Sequence, residues 1–261
     1  MIATDATAKR LAGKFIVVGG GAGGSGEAIS RRLAAEGAHV IIGDIDVAAA
    51  DALVSTITNA GDTASAFPFD VSDRASVAAM VDSSAKAYGR IDGVHMIAGN
   101  PVAMRSDADL LTISFDTWQS QIDAHLFAYA QAARSAIPVM QAQGGGSIVF
   151  TSSAASRSAD PERVGYQTAK SALETLTRHI AHRYGKDGVR CNTLAYGMVL
   201  TERASANLPK VFVDQTLATT WSPRLGRPDD LAGIAALLHS INGEWITGQV
   251  IDVNGGRLVR G

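Results

Sequence analysis

The amino-acid sequence predicts an α/β fold in which a doubly wound parallel sheet of about seven strands has helices on both faces. Short apolar runs recur along the chain, and several are apolar at consecutive positions, as strands buried on both faces must be. Segments with helical spacing lie between these runs, and this alternation builds right-handed crossovers. No internal repeat, low-complexity tract or long linker interrupts the alternation.

The apolar runs place the strands in chain order. They lie at residues 15–19, 39–43, 65–69, 93–99, 147–150, 189–195 and 249–253. Apolar residues three or four positions apart mark the helices between them, as at Ile29 and Leu33 after the first strand and at Val77 and Val81 after the third. A longer helical segment, 115–143, precedes the fifth strand.

The stretch after the sixth strand departs from this pattern. Residues 204–226 form a mostly uncharged, irregular insertion that contains Phe212 and Trp221. A segment of this kind can form the wall or lid of a substrate site. We therefore expect a single domain over residues 1–261, with a substrate-binding insertion at about 196–226.

Composition argues against several classes of protein. A net charge of −2 and a pI near 6.3 offer no basic surface for nucleic acid or anionic lipid. Cys191 is the single cysteine, which suits a reducing compartment and leaves no internal disulfide. The chain shows no signal-peptide pattern and no apolar run near the roughly 20 residues that span a bilayer. We expect a cytoplasmic protein that acts on a small molecule, with no nucleic-acid or membrane partner.

The first strand runs directly into the glycine-rich segment "GGGAGGSGEAIS". The pattern G-x-G-x-x-G fits from Gly19 and again from Gly21, and G-x-x-x-G-x-G fits Gly20, Gly24 and Gly26. Glycines between a strand and a helix let backbone N–H groups approach a pyrophosphate at the positive helix N-terminus. The segment therefore predicts a dinucleotide site, with a purely structural tight turn as the alternative.

Asp44 ends the second strand. A carboxylate there can accept both ribose hydroxyls of an adenosine and repels a 2′-phosphate. No arginine or lysine lies in the glycine loop or beside Asp44, so the sequence favours NAD over NADP. Asp46, the rival carboxylate, falls at the expected N-cap of the next helix. Asp70 ends the third strand and is expected near the adenine.

Tyr166 and Lys170 lie one helical turn apart, at the border of an apolar stripe. A free phenol has a pKa of about 10, and a nearby ammonium is expected to lower that pKa toward the range of a general acid/base. Ser153 ends a buried strand at the sheet edge where α/β proteins bind ligands, so its hydroxyl is expected to bond the substrate oxygen. A structural role for the pair is the alternative, which the glycine loop and Asp44 argue against.

Together these motifs resemble the short-chain dehydrogenase/reductase family, and the resemblance covers nearly the whole chain. With glycine in place of threonine, the family's loop T-G-x-x-x-G-x-G corresponds here to Gly19, Gly20, Gly24 and Gly26. The stretches "GRPDDLAGIAALLHS" and "ITGQVIDVNGG" are similar to the family's last helix and strand. The resemblance implies a Rossmann-like fold and a homotetramer.

The resemblance also implies residue roles. The family's catalytic serine lies thirteen residues before its tyrosine, which selects Ser153 over Ser152. Tyr166 then corresponds to the general acid/base and Lys170 to the lysine that also holds the nicotinamide ribose. With Asp44 from the strand pattern, the expected cofactor-binding residues are Gly20, Gly24, Ser25, Gly26, Asp44, Asp70, Val71, Ala98, Gly99, Tyr166, Lys170, Val199 and Thr201.

Two positions depart from the family pattern. The fourth strand of the family ends in N-N-A-G, whereas residues 96–99 read "MIAG", so two amides that bind backbone are missing and Asn100 follows as a partial substitute. His125 stands where the family has an asparagine that orders a proton-relay water beside the lysine. Imidazole can order the water, act as a base or shape the substrate pocket, and a hydrogen-bonded core histidine is the alternative.

Other candidate residues are given structural roles. His179 and His182 form H-x-x-H without a third ligand, so no metal site is expected. Tyr129 is expected to pack the long helix. Phe212 and Trp221 are candidates for a substrate wall.

The sequence thus predicts an NAD-dependent enzyme that interconverts a secondary alcohol and a ketone. The apolar 196–226 region favours a neutral, fairly hydrophobic substrate, such as a cyclic, aromatic, terpenoid or steroid alcohol. A 3-oxoacyl group on a carrier protein is an alternative, although no basic cluster is present to receive an acidic carrier. A dinucleotide-binding regulator without turnover is the other alternative.

Overall fold

The centre of the molecule is a parallel sheet. Residues 9–158 and 160–259, which the computed structural model describes, contain the strands β1 (Phe15–Gly19), β2 (His39–Asp44), β3 (Thr63–Pro68), β4 (Gly93–Met96), β5 (Gly146–Ser153), β6 (Val189–Tyr196) and β7 (Val250–Val253). They form one sheet in the order β3–β2–β1–β4–β5–β6–β7, with every neighbouring pair parallel. The strand order reverses between β1 and β4, where doubly wound sheets bind their ligands. The predicted fold is confirmed.

Helices cover both faces of the sheet. They are α1 (Gly24–Ala35), α2 (Val47–Asn59), α3 (Arg74–Tyr88), α4 (Pro101–Ser106), α5 (Phe115–Ile122), α6 (Ala128–Ala142), α7 (Val164–Tyr184), α8 (Glu202–Asn207), α9 (Lys210–Ala218) and α10 (Pro228–His239). A π-helical turn, Asp123–Phe127, joins α5 to α6 into the long helix that the sequence predicted. None of the helices described is both long and apolar enough to cross a bilayer.

Successive residues of β1 face two separate apolar layers, which explains its unbroken apolar run. Val17 packs in the layer formed with α3, α6 and α7, and Ile16 and Val18 pack in the layer formed with α1, α2 and α10. Each of these three side chains is at most 1% exposed. Full burial of such a side chain stabilises the fold by about 1.5–3 kcal/mol, so the central strand contributes to both layers at once.

Two segments differ from the sequence prediction. The fourth strand was predicted to reach residue 99, but β4 ends at Met96, because the N–H groups of Ile97 and Ala98 both donate to the carbonyl of Gly19. The insertion predicted as irregular contains two short helices. Thr201 starts the first of them by accepting the N–H of Ala204 at 3.1 Å.

Candidate active site

A cleft of about 1050 Å³ opens at the carboxyl ends of β1, β2, β3 and β4. Its size is at the upper end of the range for small-molecule sites. The predicted cofactor residues that line it are Gly20, Gly24, Asp44, Asp70, Val71, Ala98, Gly99 and Thr201. The predicted cofactor residues that lie outside its lining are Ser25, Gly26, Tyr166, Lys170 and Val199.

The turn after β1 requires glycine. Gly20 and Gly24 have φ angles of 87° and 52°, in the left-handed region that other residues avoid. A Cβ on Gly20 would lie 2.7 Å from the Cα of Ala98, and a Cβ on Gly26 would collide with the carbonyl oxygen of Gly20. The turn leads into α1, whose N-cap residue Gly23 supplies no side-chain cap. The positive end of α1 therefore presents backbone donors that can bind an anion.

Backbone N–H groups on two sides hold the Asp44 carboxylate at the cleft. Its Oδ2 accepts the N–H of Ala22 at 3.0 Å, and its Oδ1 accepts the N–H of Asp46 at 3.1 Å. Asp46 in turn caps α2 by accepting the N–H of Ala49 at 3.0 Å, as predicted. An ionised carboxylate has about four lone-pair sites, so both oxygens of Asp44 can still accept a ribose hydroxyl.

Arg31 lines the same cleft, and sequence reasoning missed it. It lies about two turns into α1, beyond the glycine loop. Its guanidinium lies 2.7 Å from the carboxylate of Glu27, and both side chains are about 40% exposed. The i, i+4 spacing of this ion pair could be read from the sequence, whereas its place at the cleft depends on the fold.

Asn100 closes the wall of the cleft beside Asp70. Its amide donates to the hydroxyl of Ser72 at 3.3 Å, and the N–H of Ser72 donates to Asp70 at 2.8 Å. The side-chain oxygen of Asn100 caps α4 by accepting the N–H of Val102 at 3.0 Å. Asn100 therefore starts a helix and joins two loops, and it does not bind β4 in place of the two missing amides.

Ser153, Tyr166 and Lys170 lie together at the carboxyl end of β5. Ser153 is the last residue of β5, and α7 carries the other two residues one turn apart. Lys170 is only 2% exposed, and its Nζ donates to the carbonyl of Thr151 at 2.6 Å. The same Nζ lies 5.7 Å from the centroid of the Tyr166 ring. The fold thus places a hydroxyl, a phenol and an amine side by side, as the motif suggested.

The acidity of the phenol differs from the sequence prediction. Although part of Tyr166 is exposed, burial raises its pKa, and the hydroxyl of Ser153 and the charge of Arg163 act in the opposite direction without reversing the shift. Burial also lowers the pKa of Lys170 to about 7. The predicted lowering of the phenol pKa by the ammonium is therefore wrong. Desolvation dominates, and the amine itself loses much of its charge near neutral pH.

His125 lies in the π-helical turn and is 3% exposed. Its ring meets the ring of Tyr166 edge-on, with centroids 5.0 Å apart. A Cβ on Gly99 would lie 2.6 Å from its Cε1, so only glycine fits there. Neither ring nitrogen has a hydrogen-bond partner in the part of the chain that the structure describes, which argues against the alternative of a hydrogen-bonded core histidine. Burial and the charge of Lys170 lower the pKa of His125, which keeps the ring neutral.

Asp107 anchors the start of α7, and no sequence motif marks it. Its Oδ2 accepts the N–H of Tyr166 at 2.7 Å and the Nε2 of Gln121 at 3.1 Å. Its Oδ1 accepts the N–H of Gly165 at 3.1 Å. A carboxylate at a helix N-terminus satisfies amides that have no partner within the helix and interacts favourably with the helix dipole. Asp107 thus fixes the backbone that carries Tyr166.

The remaining predicted residues lie after β6. Thr201 contacts the glycine loop, since a Cβ on Gly24 would lie 3.0 Å from its Cγ2, and Val199 pairs with Gly226 in an isolated bridge. Phe212 and Trp221 are 40% and 79% exposed and do not line the cleft, so their role in a substrate wall stays a prediction. Among the described residues, no group of three or more His, Cys, Asp or Glu side chains could hold a metal ion.

Comparison with known proteins adds three findings. A family model described as enoyl-(acyl carrier protein) reductase matches residues 20–257. The chain is 33% identical over 252 residues to a 7α-hydroxysteroid dehydrogenase of Bacteroides fragilis, covering 96% of each chain, and 30% identical to dehydrogenase/reductase SDR family member 4 of Bos taurus, covering 95% and 88%. A solved 7α-hydroxysteroid dehydrogenase complexed with NADH and 7-oxo glycochenodeoxycholic acid has a TM-score of 0.90, with 26% identity and 97% of both chains covered.

Proposed function

The chain belongs to the short-chain dehydrogenase/reductase family of oxidoreductases that use a nicotinamide dinucleotide, and from this premise we propose that it interconverts a secondary alcohol and a ketone with NAD. The observation that carries the proposal is the convergence of Ser153, Tyr166 and Lys170 at the carboxyl end of β5. The serine and the tyrosine at this edge supply a hydrogen-bond donor and a proton-transfer group for one substrate oxygen, and the lysine supplies an amine for the cofactor.

In the proposed mechanism, the side chains of Ser153 and Tyr166 bind the substrate oxygen and transfer one proton to or from it. Ser153 donates a hydrogen bond to the substrate oxygen, and Tyr166 Oη gives a proton to that oxygen in reduction and takes it back in oxidation. When bound, the nicotinamide ring supplies hydride transfer to or from the carbon atom. Because burial raises the pKa of Tyr166, the phenol is protonated near neutral pH, which is the form that ketone reduction requires. Oxidation requires the phenolate and is therefore favoured by higher pH.

The residues around the cleft fit a dinucleotide. Gly20 and Gly26 allow the tight turn, because a Cβ on either would clash with the backbone, and Gly23 has open space beside it, so a pyrophosphate can approach the start of α1. We assign the adenosine ribose to Asp44, the adenine to Asp70 and the nicotinamide ribose to Lys170. Val199 and Thr201 are assigned to the end of the cofactor that carries the carboxamide.

The preference for NAD over NADP is supported by Asp44 and by the ion pair of Arg31. The carboxylate is held in place by two N–H donors, and it would repel a 2′-phosphate at the same position. Arg31 is occupied by Glu27. We expect Asp44→Ala to raise KM for NAD and to lower KM for NADP, in initial-rate assays with each cofactor. Equal use of both cofactors by the unmodified protein would contradict the assignment of Asp44.

For the substrate, we propose a neutral, fairly hydrophobic alcohol, with hydroxysteroids as the first compounds to test. Support comes from the similarity to 7α-hydroxysteroid dehydrogenase and from the mostly uncharged 196–226 segment. The competing candidate is a 3-oxoacyl thioester, which the description of the matching family model supports. We further propose a cytoplasmic homotetramer, with its mass in solution as the test.

A turnover assay tests the function. Purified protein is mixed with NAD and a panel of hydroxysteroids and of cyclic, aromatic and terpenoid alcohols, and with NADH and 3-oxoacyl thioesters, while absorbance of NADH is followed. Tyr166→Phe is expected to abolish turnover and to preserve NADH binding measured by fluorescence. Tight NADH binding without turnover on any substrate would instead favour the regulator, and turnover unchanged by Tyr166→Phe would contradict the mechanism.

A further inference from the structure

Tyr129 is a fully buried phenol on α6 that the mechanism above does not use. It is 0% exposed and lies one helical turn after His125. The sequence assigned it to packing, and its ring does pack against Phe150, with centroids 5.5 Å apart. Its hydroxyl, however, lies among polar atoms of two other segments, and one of these atoms belongs to Lys170.

The Tyr129 hydroxyl links the amine of Lys170 to the loop after β4. Oη of Tyr129 donates to the carbonyl of Ala98 at 2.9 Å. Nζ of Lys170 donates to Oη of Tyr129 in a long hydrogen bond of 3.5 Å. Nζ also lies 4.7 Å from the centroid of the Tyr129 ring, within the range of a cation–π contact. The donors and acceptors follow one direction, from ammonium to hydroxyl to carbonyl, so each bond polarises the next.

The loop after β4 depends on this hydroxyl. The N–H groups of Ile97 and Ala98 donate to Gly19, and the side chains of the "MIAG" sequence offer no donor for the carbonyl of Ala98. Ala98 is half-buried, and a carbonyl that is shielded from water without a donor is costly, so the Tyr129 hydroxyl supplies that donor. The same contact fixes the hydroxyl so that its lone pairs can accept from Lys170.

We propose that Tyr129 is a positioning residue for Lys170, holding the amine inside the protein with its hydroxyl and its ring while anchoring the loop after β4. An ammonium has three donors, of which Thr151 and Tyr129 accept two, so one is left for a ligand. The inference rests on the proposed function only in that Lys170 is taken to be catalytic. The contact itself does not depend on the reaction.

Burial lowers the pKa of Lys170, and titratable groups on two helices lie around it. On α7 itself, Tyr166 lies one turn before the lysine and Glu174 one turn after it, and Glu174 is bonded to Ser152 and ion-paired to Arg157 at 3.5 Å. The long helix contributes the neutral rings of His125 and Tyr129. The hydroxyl of Tyr129 favours the charged form of the lysine, so its removal is expected to favour the neutral amine.

The test is a titration of Lys170 in the full-length protein without cofactor. Lysine carrying ¹³C at Cε is incorporated, the Lys170 signal is assigned by its loss in Lys170→Arg, and its shift is followed by NMR against pH. Tyr129→Phe keeps the ring and removes the hydroxyl, and we expect the pKa of Lys170 to fall by about 0.5–1 unit. Tyr184→Phe, near the far end of α7, is the matched control and is expected to change nothing.

A second arm measures turnover. With an active substrate, we expect Tyr129→Phe to lower kcat about tenfold and to raise KM for NAD as well, because the hydroxyl contacts Lys170 and the cleft-lining Ala98, which are both assigned to the cofactor site. We also expect the alkaline limb of the pH profile to move to lower pH, which a purely structural loss would not cause. An unchanged Lys170 titration in folded Tyr129→Phe would overturn the proposal, whether or not the protein turns over any substrate.

Tyr129→Phe leaves the carbonyl of Ala98 without its donor and could therefore prevent folding. A further variant tests the proposal in that case. Replacement of Tyr129 by 3-fluorotyrosine keeps the shape and both hydrogen bonds but makes the oxygen a weaker acceptor. We expect the pKa of Lys170 to move in the same direction by a smaller amount. A shift in the opposite direction, or none, would contradict the proposal.

Discussion

Removing the Asp107 carboxylate should disturb catalysis more than cofactor binding. Asp107→Ala takes acceptors from the N–H groups of Gly165 and Tyr166 and leaves the amide of Gln121, which is 0% exposed, without its acceptor. Loss of a helix cap costs about 1 kcal/mol, and an unpaired buried amide costs about 1–3 kcal/mol. Stability should therefore fall by about 2–4 kcal/mol, concentrated in the first turn of α7.

The first turn of α7 carries Tyr166, so loosening this turn should misplace the phenol and slow the proton transfer. A misplacement of about 1 Å can cost 100-fold in rate, and we expect kcat to fall about 10–100-fold. Asp107 does not line the cleft, so KM for NAD and the binding of NADH should change less than about twofold. Asp107→Asn keeps one acceptor oxygen and should give an intermediate kcat.

The assay is steady-state kinetics, NADH fluorescence titration and thermal unfolding on the same samples. Asp109→Ala is the matched control, because Asp109 lies in the same loop but, among residues 9–158 and 160–259, its side chain bonds only within its own turn, to Leu111 at 2.8 Å and to Thr112. It should leave kcat unchanged. A kcat for Asp107→Ala equal to that of the control would refute the reasoning, and so would an equal loss of NADH affinity and kcat.

Three further outcomes follow from the site. Gly20→Ala should weaken NADH binding at least tenfold by fluorescence, because the new Cβ would strike Ala98 and the φ of Gly20 is 87°. Unchanged affinity would contradict the assignment of the glycine turn to the pyrophosphate. His125→Asn should keep most of kcat if the ring only orders water, whereas lost turnover with intact NADH binding would assign it another role. The rate of alcohol oxidation should rise with pH above neutrality, and that of ketone reduction should fall, since burial raises the pKa of Tyr166; a profile that is flat in both directions would contradict this.

The strands and the glycine turn could be predicted because their causes are local. β1 lies between two apolar layers, with Val17 in one and Ile16 and Val18 in the other, so successive positions had to be apolar. Asp46 precedes a helix that needs a cap. The end of β4 was misjudged because Ile97 and Ala98 continue the apolar run, while their N–H groups leave the ladder for a single carbonyl.

Contacts between distant segments could not be predicted from one sequence. Asp107 follows α4 and meets the backbone of Tyr166 in the first turn of α7, 59 residues later, and no local pattern marks such a pairing. The predicted direction of the pKa shift of Tyr166 was wrong for a related reason. One-turn spacing places Lys170 on the right face, but it does not show that the amine bonds to Thr151 and is buried deeply enough to lose part of its charge.

The π-helical turn has a consequence for changes in chain length. The N–H of Ala128 donates to the carbonyl of Asp123, five residues earlier, so the turn holds one residue more than a regular helix. Deleting one residue there would restore regular winding, and because the wider turn absorbs its extra residue, α5 would keep nearly the same rotation relative to α6. The indole of Trp118, which donates to Thr168 on α7 at 3.0 Å, would therefore keep its partner. The side chains within the turn would change direction instead, so a one-residue deletion should displace His125 and spare the packing of the two flanking helices.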